Sequence, residues 1–246
     1  PGRRAGTPPA IPTLEDASRA LAVRVAEVLR EAVDARDRAS LVLSGGSTPR
    51  GLHETLARGH SNLPWGQTHV LWGDERFVPP DSEDSNFRMA RETLLDEIAI
   101  PPENVHPWPT DMRKPEAAAL AMQVALERLF DCSALADEPP HLDVVLLGMG
   151  ADGHTASLFP RSLALREERR WAIPSEAPDE PRQRLTFTLP LINAARDVHF
   201  LVAGANKRDA LDCALNAPQH PERCPAALIA PTDGALTWWL DEEVAP

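Results

Sequence analysis

The chain has 246 residues, 43% of them apolar, which suits one α/β domain with a sizeable core. Its formal net charge of -12 argues against nucleic acid as a partner, because polyanions need clustered lysine and arginine. No apolar run approaches the roughly 20 residues that span a bilayer, so we expect a cytoplasmic protein with no membrane partner. The three cysteines are odd in number and form no CxxC pair, which favours reduced thiols over disulfides or structural zinc.

Residues 1–12 are rich in proline and glycine and predict a flexible lead-in, followed by a single domain at residues 13–246. Apolar residues at helical spacing then predict a long amphipathic helix from Leu14 to about Asp37, with Thr13 as its N-cap. Further helices are predicted at 49–58, 86–98, 115–130 and 206–216. A proline-rich link occupies 100–110. Apolar runs predict strands ending at Ser44 and Asp74, and others at 144–147, 171–173, 185–189, 198–202, 227–229 and 236–239.

The alternation of strands and helices predicts an open, mostly parallel Rossmann-like α/β sheet with helices on both faces. In such a sheet the carboxyl ends of the strands lie along one edge, and ligands bind there. The loops that follow the strands ending at Ser44, Asp74, Leu147 and Val202 are therefore expected to meet over one ligand.

A glycine-rich loop joins the first of these strands to the next helix. It contains Gly45, Gly46, Ser47 and Thr48, with Pro49 in the first helical turn. Glycines let the backbone approach an anion, the hydroxyls can donate, and the helix N-terminus presents free N–H groups. No Walker loop or GxGxxG is present, so neither ATP nor a dinucleotide is indicated. The loop indicates a phosphate site, with an ordinary glycine-rich turn and a Ser/Thr cap as the alternative.

Asp152 and His154 flank Gly153 in the loop after the strand at 144–147. Histidine titrates near neutrality and is the usual general base, and a nearby carboxylate can orient it. The alternative is a helix-capping Asp152 beside a solvated histidine. A metal site would need a further ligand, and no HxxxH or HExxH occurs. A Ser-His-Asp hydrolase has little support, since no GxSxG is present.

Two further strand ends carry charged residues. Asp74, Glu75 and Arg76 end the second strand, where a guanidinium could pair with an anion or with developing negative charge. Lys207 lies at a predicted helix start after the strand at 198–202 and suits a phosphate as a point charge. Taken alone, the first group could be a surface ion pair and the second a solvated lysine.

Six ordered blocks of this sequence resemble the 6-phosphogluconolactonase family. The resemblance covers about residues 14–244 and rests on LSGGSTP at 43–49, WGDER at 72–76, DSN at 84–86, LGMGADGHTASLFP at 147–160, RLTFTLP at 184–190 and GANK at 204–207. It implies an open α/β fold of the glucosamine-6-phosphate deaminase, ribose-5-phosphate isomerase and CoA-transferase type. It also implies a phosphosugar lactone as substrate, no metal or organic cofactor, and a base matching His154.

The related glucosamine-6-phosphate deaminases share the first loop, the strand-end aspartate and an Asp-Gly-His run. They carry a glutamate before the proline that closes this run, whereas this chain has Phe159 before Pro160. A phenyl ring cannot shuttle a proton, so the lactonase is favoured over the aldose-ketose isomerisation of a deaminase. A non-catalytic sugar-phosphate sensor is the other alternative. We expect a monomer, with a weak dimer as the alternative.

The predicted roles follow from acyl transfer to water. His154 is the base, Arg76 neutralises the carbonyl oxyanion, and Asp152 and Asp74 hold His154 or the sugar hydroxyls. The phosphate-binding group comprises Gly45, Gly46, Ser47, Thr48, Lys207 and Arg184. Spacing alone does not decide how Arg76, Arg184 and Lys207 divide the phosphate between them.

Overall fold

The computed structural model describes residues 10–60, 62–134, 138–216 and 219–245. Within these ranges the strands are β1 (Ala10–Ile11), β2 (Ala39–Leu43), β3 (Thr68–Trp72), β4 (Asp74–Arg76), β5 (Val105–His106), β6 (Val144–Leu147), β7 (Ala172–Glu176), β8 (Gln183–Phe187), β9 (Asp197–Val202) and β10 (Ala235–Asp241). The α-helices are α1 (Leu14–Arg36), α2 (Arg50–Gly59), α3 (Asn86–Thr93), α4 (Pro115–Phe130), α5 (Leu189–Asn193) and α6 (Arg208–Leu215).

The main sheet is parallel throughout, with the strand order β1-β10-β9-β6-β2-β3-β5. Every residue of the central strands β2, β6 and β9 is buried, so both faces of the sheet are covered. The predicted open, mostly parallel α/β sheet with helices is confirmed. Since the chain runs outward from β2 on one side and from β6 on the other, the strand order reverses between these two strands.

Helix α1 begins and ends as its sequence predicts. The side chain of Thr13 accepts a hydrogen bond from the backbone N–H of Asp16 at 3.0 Å, which satisfies one free donor of the first turn. Asp37 ends the helix in the left-handed conformation at φ 59°. The buried face carries Leu21, Val25 and Leu29, and it packs on β2, β10 and helix α2.

A second, antiparallel sheet of order β4-β8-β7 was not predicted. The strands expected at 171–173 and 185–189 belong to it rather than to the parallel sheet. Gly73 joins the two sheets, because its N–H donates to Leu43 of the main sheet at 3.0 Å and its carbonyl accepts from Phe187 at 2.8 Å. The chain therefore passes directly from β3 into β4 and places Asp74 between the two sheets.

Some local predictions are wrong. The helix predicted at 86–98 ends at Thr93, and a 3-10 turn follows at Leu95–Glu97. Residues 227–229 are not a strand: Pro225–Leu228 is a 3-10 turn, which suits a proline with fixed φ and no N–H at its start. The predicted strand at 185–189 ends at Phe187, and Leu189 begins α5. The predicted proline-rich link contains β5, which pairs with β3.

Most of the predicted lead-in, residues 1–9, lies outside the described residues, while β1 pairs with Leu240 and Asp241 at the edge of the main sheet. No helix in the described ranges is long and apolar enough to cross a membrane. Among the described residues, none of the three cysteines is joined in a disulfide bond.

Candidate active site

A cavity of about 650 Å³ opens at the carboxyl edge of the parallel sheet, where the strand order reverses between β2 and β6. Ligands of open α/β sheets bind in this position, and the volume is in the range of small-molecule sites. The cavity is lined by all ten residues singled out from the sequence: Gly45, Gly46, Ser47, Thr48, Asp74, Arg76, Asp152, His154, Arg184 and Lys207.

The glycine-rich loop follows β2 and leads into α2. Gly46 has φ +88°, a conformation that side chains rarely adopt. Gly45 lies so close to the Asn86 amide that a Cβ at this position would overlap it. Helix α2 begins directly after the loop, so its free N–H groups and positive dipole end are close to the cavity. The loop therefore has the features of an anion-binding wall.

A tight turn after β6 brings Asp152 against His154. Asp152 Oδ1 lies 2.6 Å from His154 Nδ1 and also accepts the backbone N–H of His154 at 3.1 Å. Burial alone would raise the pKa of Asp152, but the hydrogen bonds and charge of His154 hold it below its usual value. Asp152 is therefore ionised at neutral pH and favours the imidazole tautomer with its proton on Nδ1. Nε2 is then free to accept a proton.

Glycines make this turn possible. Gly153 has φ +81°, and a Cβ there would lie 2.8 Å from Cys224 Sγ. A Cβ on Gly150 would lie 2.6 Å from Asp152 Oδ1 and closer still to His154 Nδ1. A side chain at Gly150 would therefore displace Asp152 or His154, and a side chain at Gly153 would displace Cys224.

Phe159 packs against the imidazole. The ring centroids of His154 and Phe159 are 4.7 Å apart, with an interplanar angle of 41°. Phe159 is buried and lines the cavity. The side chain that packs against the imidazole of His154 is therefore apolar and has no proton to transfer.

Three cations face the cavity. Arg76 and Arg184 are register partners on the antiparallel strands β4 and β8, an unfavourable placement for two like charges. Burial, and then the charge of Arg76, lowers the pKa of Arg184; burial likewise lowers the pKa of Lys207, against the opposing charge of Asp241. The buried Nε atoms of Arg76 and Arg184 have no hydrogen-bond partner in the described chain. A bound anion would offset these costs.

The two carboxylates of the Asp74-Glu75 pair differ in orientation because successive side chains of a strand alternate. Asp74 lines the cavity, whereas Glu75 is turned away and accepts the backbone N–H groups of Arg76, Asn86 and Phe87, each at 2.8 Å. Burial raises the pKa of Glu75 to about 7. Glu75 thus holds the start of α3 beside the cavity and does not line the cavity itself.

Sequence reasoning missed two polar residues of the cavity wall. Ser157 Oγ donates to Asp74 Oδ2 at 2.6 Å, and Asn86 Nδ2 donates to the Asp74 carbonyl at 3.0 Å. Both lie in blocks that carry the family resemblance, which is the signal that could have found them. In the described ranges no group of three or more histidine, cysteine, aspartate or glutamate residues is arranged to hold a metal ion.

Comparison with known proteins shows the family to which the chain belongs. The family described as glucosamine-6-phosphate isomerases/6-phosphogluconolactonase matches residues 12–238, and the chain belongs to that family. Within it, the chain is 45% identical to a 6-phosphogluconolactonase of Synechocystis sp. over 215 residues, 87% of each protein. A solved 6-phosphogluconolactonase from Trypanosoma brucei superposes with a TM-score of 0.84 at 32% identity, covering 98% of both chains. The resemblance predicted from the sequence is confirmed.

A deaminase shares the fold. A solved monomeric glucosamine-6-phosphate deaminase superposes with a TM-score of 0.79 at 20% identity, covering 98% of this chain and 99% of the other. At this identity the likeness concerns the fold alone.

Proposed function

We propose that the chain hydrolyses 6-phospho-D-glucono-1,5-lactone to 6-phospho-D-gluconate, the second step of the oxidative pentose phosphate pathway. The observation that carries the proposal is the composition of one cavity. An Asp152-His154 pair faces an anion-binding wall, and Phe159 contacts the imidazole where a deaminase would have an acid. The relatives named 6-phosphogluconolactonase that match most of this chain support the same activity.

In the proposed complex the phosphate binds the loop of Gly45, Gly46, Ser47 and Thr48, together with Lys207 and Arg184. The phosphate dianion would stabilise the charged forms of Lys207 and Arg184, whose pKa values burial lowers. Binding at this end fixes the lactone carbonyl beside His154, which reduces the entropy cost of the reaction.

His154 then acts first as a base and next as an acid. Its Nε2 takes a proton from water as the water oxygen bonds to C1 of the lactone. The charge that develops on the carbonyl oxygen is stabilised by Arg76, and the C1–ring oxygen bond then breaks. The imidazolium returns its proton to the departing ring oxygen. Asp152 stabilises the imidazolium between the two steps, and general acid-base help of this kind gives about a hundred- to ten-thousand-fold.

Arg76 is suited to the oxyanion rather than to the phosphate. Its Nη1 donates to the Asp84 carbonyl at 2.7 Å, which fixes the guanidinium at the end of β4. A fixed donor needs little reorganisation when negative charge develops. We therefore assign Arg76 to the oxyanion, and Arg184 with Lys207 to the phosphate.

The proposal is tested by offering the wild-type protein two substrates. We expect accelerated loss of the lactone, generated in situ at mildly acidic pH where the spontaneous rate is low, and no ammonia from glucosamine 6-phosphate. Ammonia release would favour the deaminase. Lactone binding without acceleration would favour a sugar-phosphate sensor.

The proposal also covers domain organisation, location, cofactors and oligomeric state. We propose that residues 13–246 act as one domain, in the cytoplasm, without a metal or organic cofactor and without nucleic acid as a partner. A monomer is expected, and sedimentation at several protein concentrations distinguishes it from a weak dimer.

A further inference from the structure

Asp74 is attached to the cavity wall through one of its two carboxylate oxygens. Ser157 Oγ donates to Asp74 Oδ2 at 2.6 Å, a length typical of a hydroxyl bound to an ionised carboxylate. Both residues are buried, with exposures of 1% for Ser157 and 9% for Asp74. In the described chain, Asp74 Oδ1 has no hydrogen-bond partner, and Asp74 lines the cavity. One oxygen is therefore held by the protein and the other is available to a ligand.

Ser157 is itself held on both sides of its backbone. Its N–H donates to Thr186 Oγ1 at 3.2 Å, and its carbonyl accepts from Ser175 Oγ at 2.6 Å. Thr186 is also the register partner of Asp74 between β4 and β8. The small antiparallel sheet thus fixes the serine and the aspartate relative to each other.

The backbone before Ser157 has an unfavourable conformation. Ala156 has φ 48°, in the left-handed region that non-glycine residues other than Asn and Asp rarely adopt. Such conformations persist where the surrounding structure determines them, and they are frequent at functional sites. The bend lies in the cavity wall between His154 and the serine that contacts Asp74.

We propose that Ser157 is a positioning residue for the lactonase reaction. By binding Asp74 Oδ2, it directs Oδ1 to accept a hydrogen bond from a ring hydroxyl of the substrate, which aligns C1 with His154. The inference rests on the proposed function, because it takes a hydroxylated sugar lactone as the ligand. It assigns Ser157 no contact with the reacting atoms.

The first test compares two buried serines whose hydroxyls each donate to a carboxylate. Ser157→Ala removes the donor to Asp74, and we expect kcat/KM to fall by about thirty-fold, within the range of one hydrogen bond to a charged group. Ser40→Ala is the matched control. Ser40 is also buried and donates to a carboxylate, Asp143 Oδ2 at 2.9 Å, but it lies in β2 and does not line the cavity. We expect its kcat/KM to stay within two-fold of the wild type.

A double-mutant cycle shows whether Ser157 acts through Asp74. In the Asp74→Asn background, Ser157→Ala should change kcat/KM by less than two-fold. Competitive inhibition by inorganic phosphate should be unchanged in Ser157→Ala, since the proposed phosphate contacts are on other elements. An equal thirty-fold loss in both backgrounds, or no loss in the wild-type background, overturns the inference. If Ser157→Ala does not fold, Ser157→Cys keeps the volume with a weaker donor and takes its place.

Binding of the product separates this inference from the proposed function. Wild type, Ser157→Ala and Ser40→Ala are each titrated with 6-phosphogluconate by calorimetry. Weaker binding by Ser157→Ala alone supports the positioning role even if the wild type does not accelerate lactone hydrolysis, a result that would overturn only the proposed function. Equal binding by all three proteins, with equal turnover, overturns only the role of Ser157.

Discussion

Gly150 offers a substitution that should abolish most activity while leaving the fold intact. Its φ lies outside the left-handed region, so alanine is compatible with the backbone there. The obstacle is the Asp-His pair, because the added Cβ would lie 2.6 Å from Asp152 Oδ1 and closer still to His154 Nδ1. Both neighbours are side-chain atoms at the edge of a cavity, and they can move without disturbing the core.

The size of the effect follows from the distances. Ordinary van der Waals contacts of a Cβ lie at 3.4–4 Å, so the imidazole and the carboxylate of Asp152 must retreat by about 1 Å. A misplacement of about 1 Å can cost about a hundred-fold in rate. We therefore expect Gly150→Ala to lower kcat by about a hundred-fold and to change the free energy of unfolding by less than about 1 kcal/mol.

The matched control lies two residues earlier in the same loop. Gly148 also lines the cavity, but among the described residues no atom outside its two chain neighbours lies within 4 Å of its Cβ position. Gly148→Ala should keep kcat within about three-fold of the wild type in the in situ lactone assay. Thermal unfolding of all three proteins checks the fold. Equal rates for Gly150→Ala and the wild type would refute the assignment of the Asp152-His154 contact to catalysis.

Three further predictions concern other residues. Gly153→Ala combines a positive φ with a clash against Cys224, and urea unfolding should show a loss of about 1–3 kcal/mol. Asp152→Asn should lower kcat by about ten- to a hundred-fold in the lactone assay, because the imidazolium of His154 loses its charged partner. Burial lowers the pKa of His53 to about 4, so between pH 6.5 and 4 the unfolded state binds the extra proton and stability falls with falling pH. Unfolding of His53→Gln at several pH values should show that slope reduced by up to about 1.4 kcal/mol per pH unit, and an unchanged slope contradicts the assignment.

The parallel sheet could be predicted because its strands carry a strong local signal. The run at 144–147 is continuously apolar, and the run at 198–202 is apolar except for the buried His199, as suits strands covered on both faces. A glycine follows each run at the carboxyl edge, Gly148 directly and Gly204 after Ala203. The topology then places the following loops together. This is why residues as distant in sequence as Gly45 and Lys207 could be expected around one ligand.

The antiparallel sheet could not be predicted for the opposite reason. Strand β4 is only Asp74–Arg76, three polar residues that show no strand pattern, and its partner β8 lies more than 100 residues further along the chain. Such a strand forms through tertiary pairing rather than through local preference. The wrongly predicted strand at 227–229 has a local cause, because a short apolar run does not distinguish a strand from a 3-10 turn.

Within the site, residue type revealed the charged groups but not their supports. Asp152, His154 and Arg76 are charged or titratable residues that a sequence alone marks as candidates. Ser157 and Asn86 are common polar residues, and only their hydrogen bonds to Asp74 place them in the site. The separation of Asp74 from Glu75 also required the structure. Alternation along β4 turns one carboxylate to the cavity and buries the other beneath α3.

The assignment of His154 as the base is tested most directly by His154→Asn. The lactone is generated in situ at mildly acidic pH, and its loss is followed with wild type, variant and no protein. We expect the variant to lose at least about a hundred-fold of the acceleration, the contribution of general base catalysis, while thermal unfolding and inhibition by inorganic phosphate stay near wild type. Hydrolysis by His154→Asn at the wild-type rate would contradict the account.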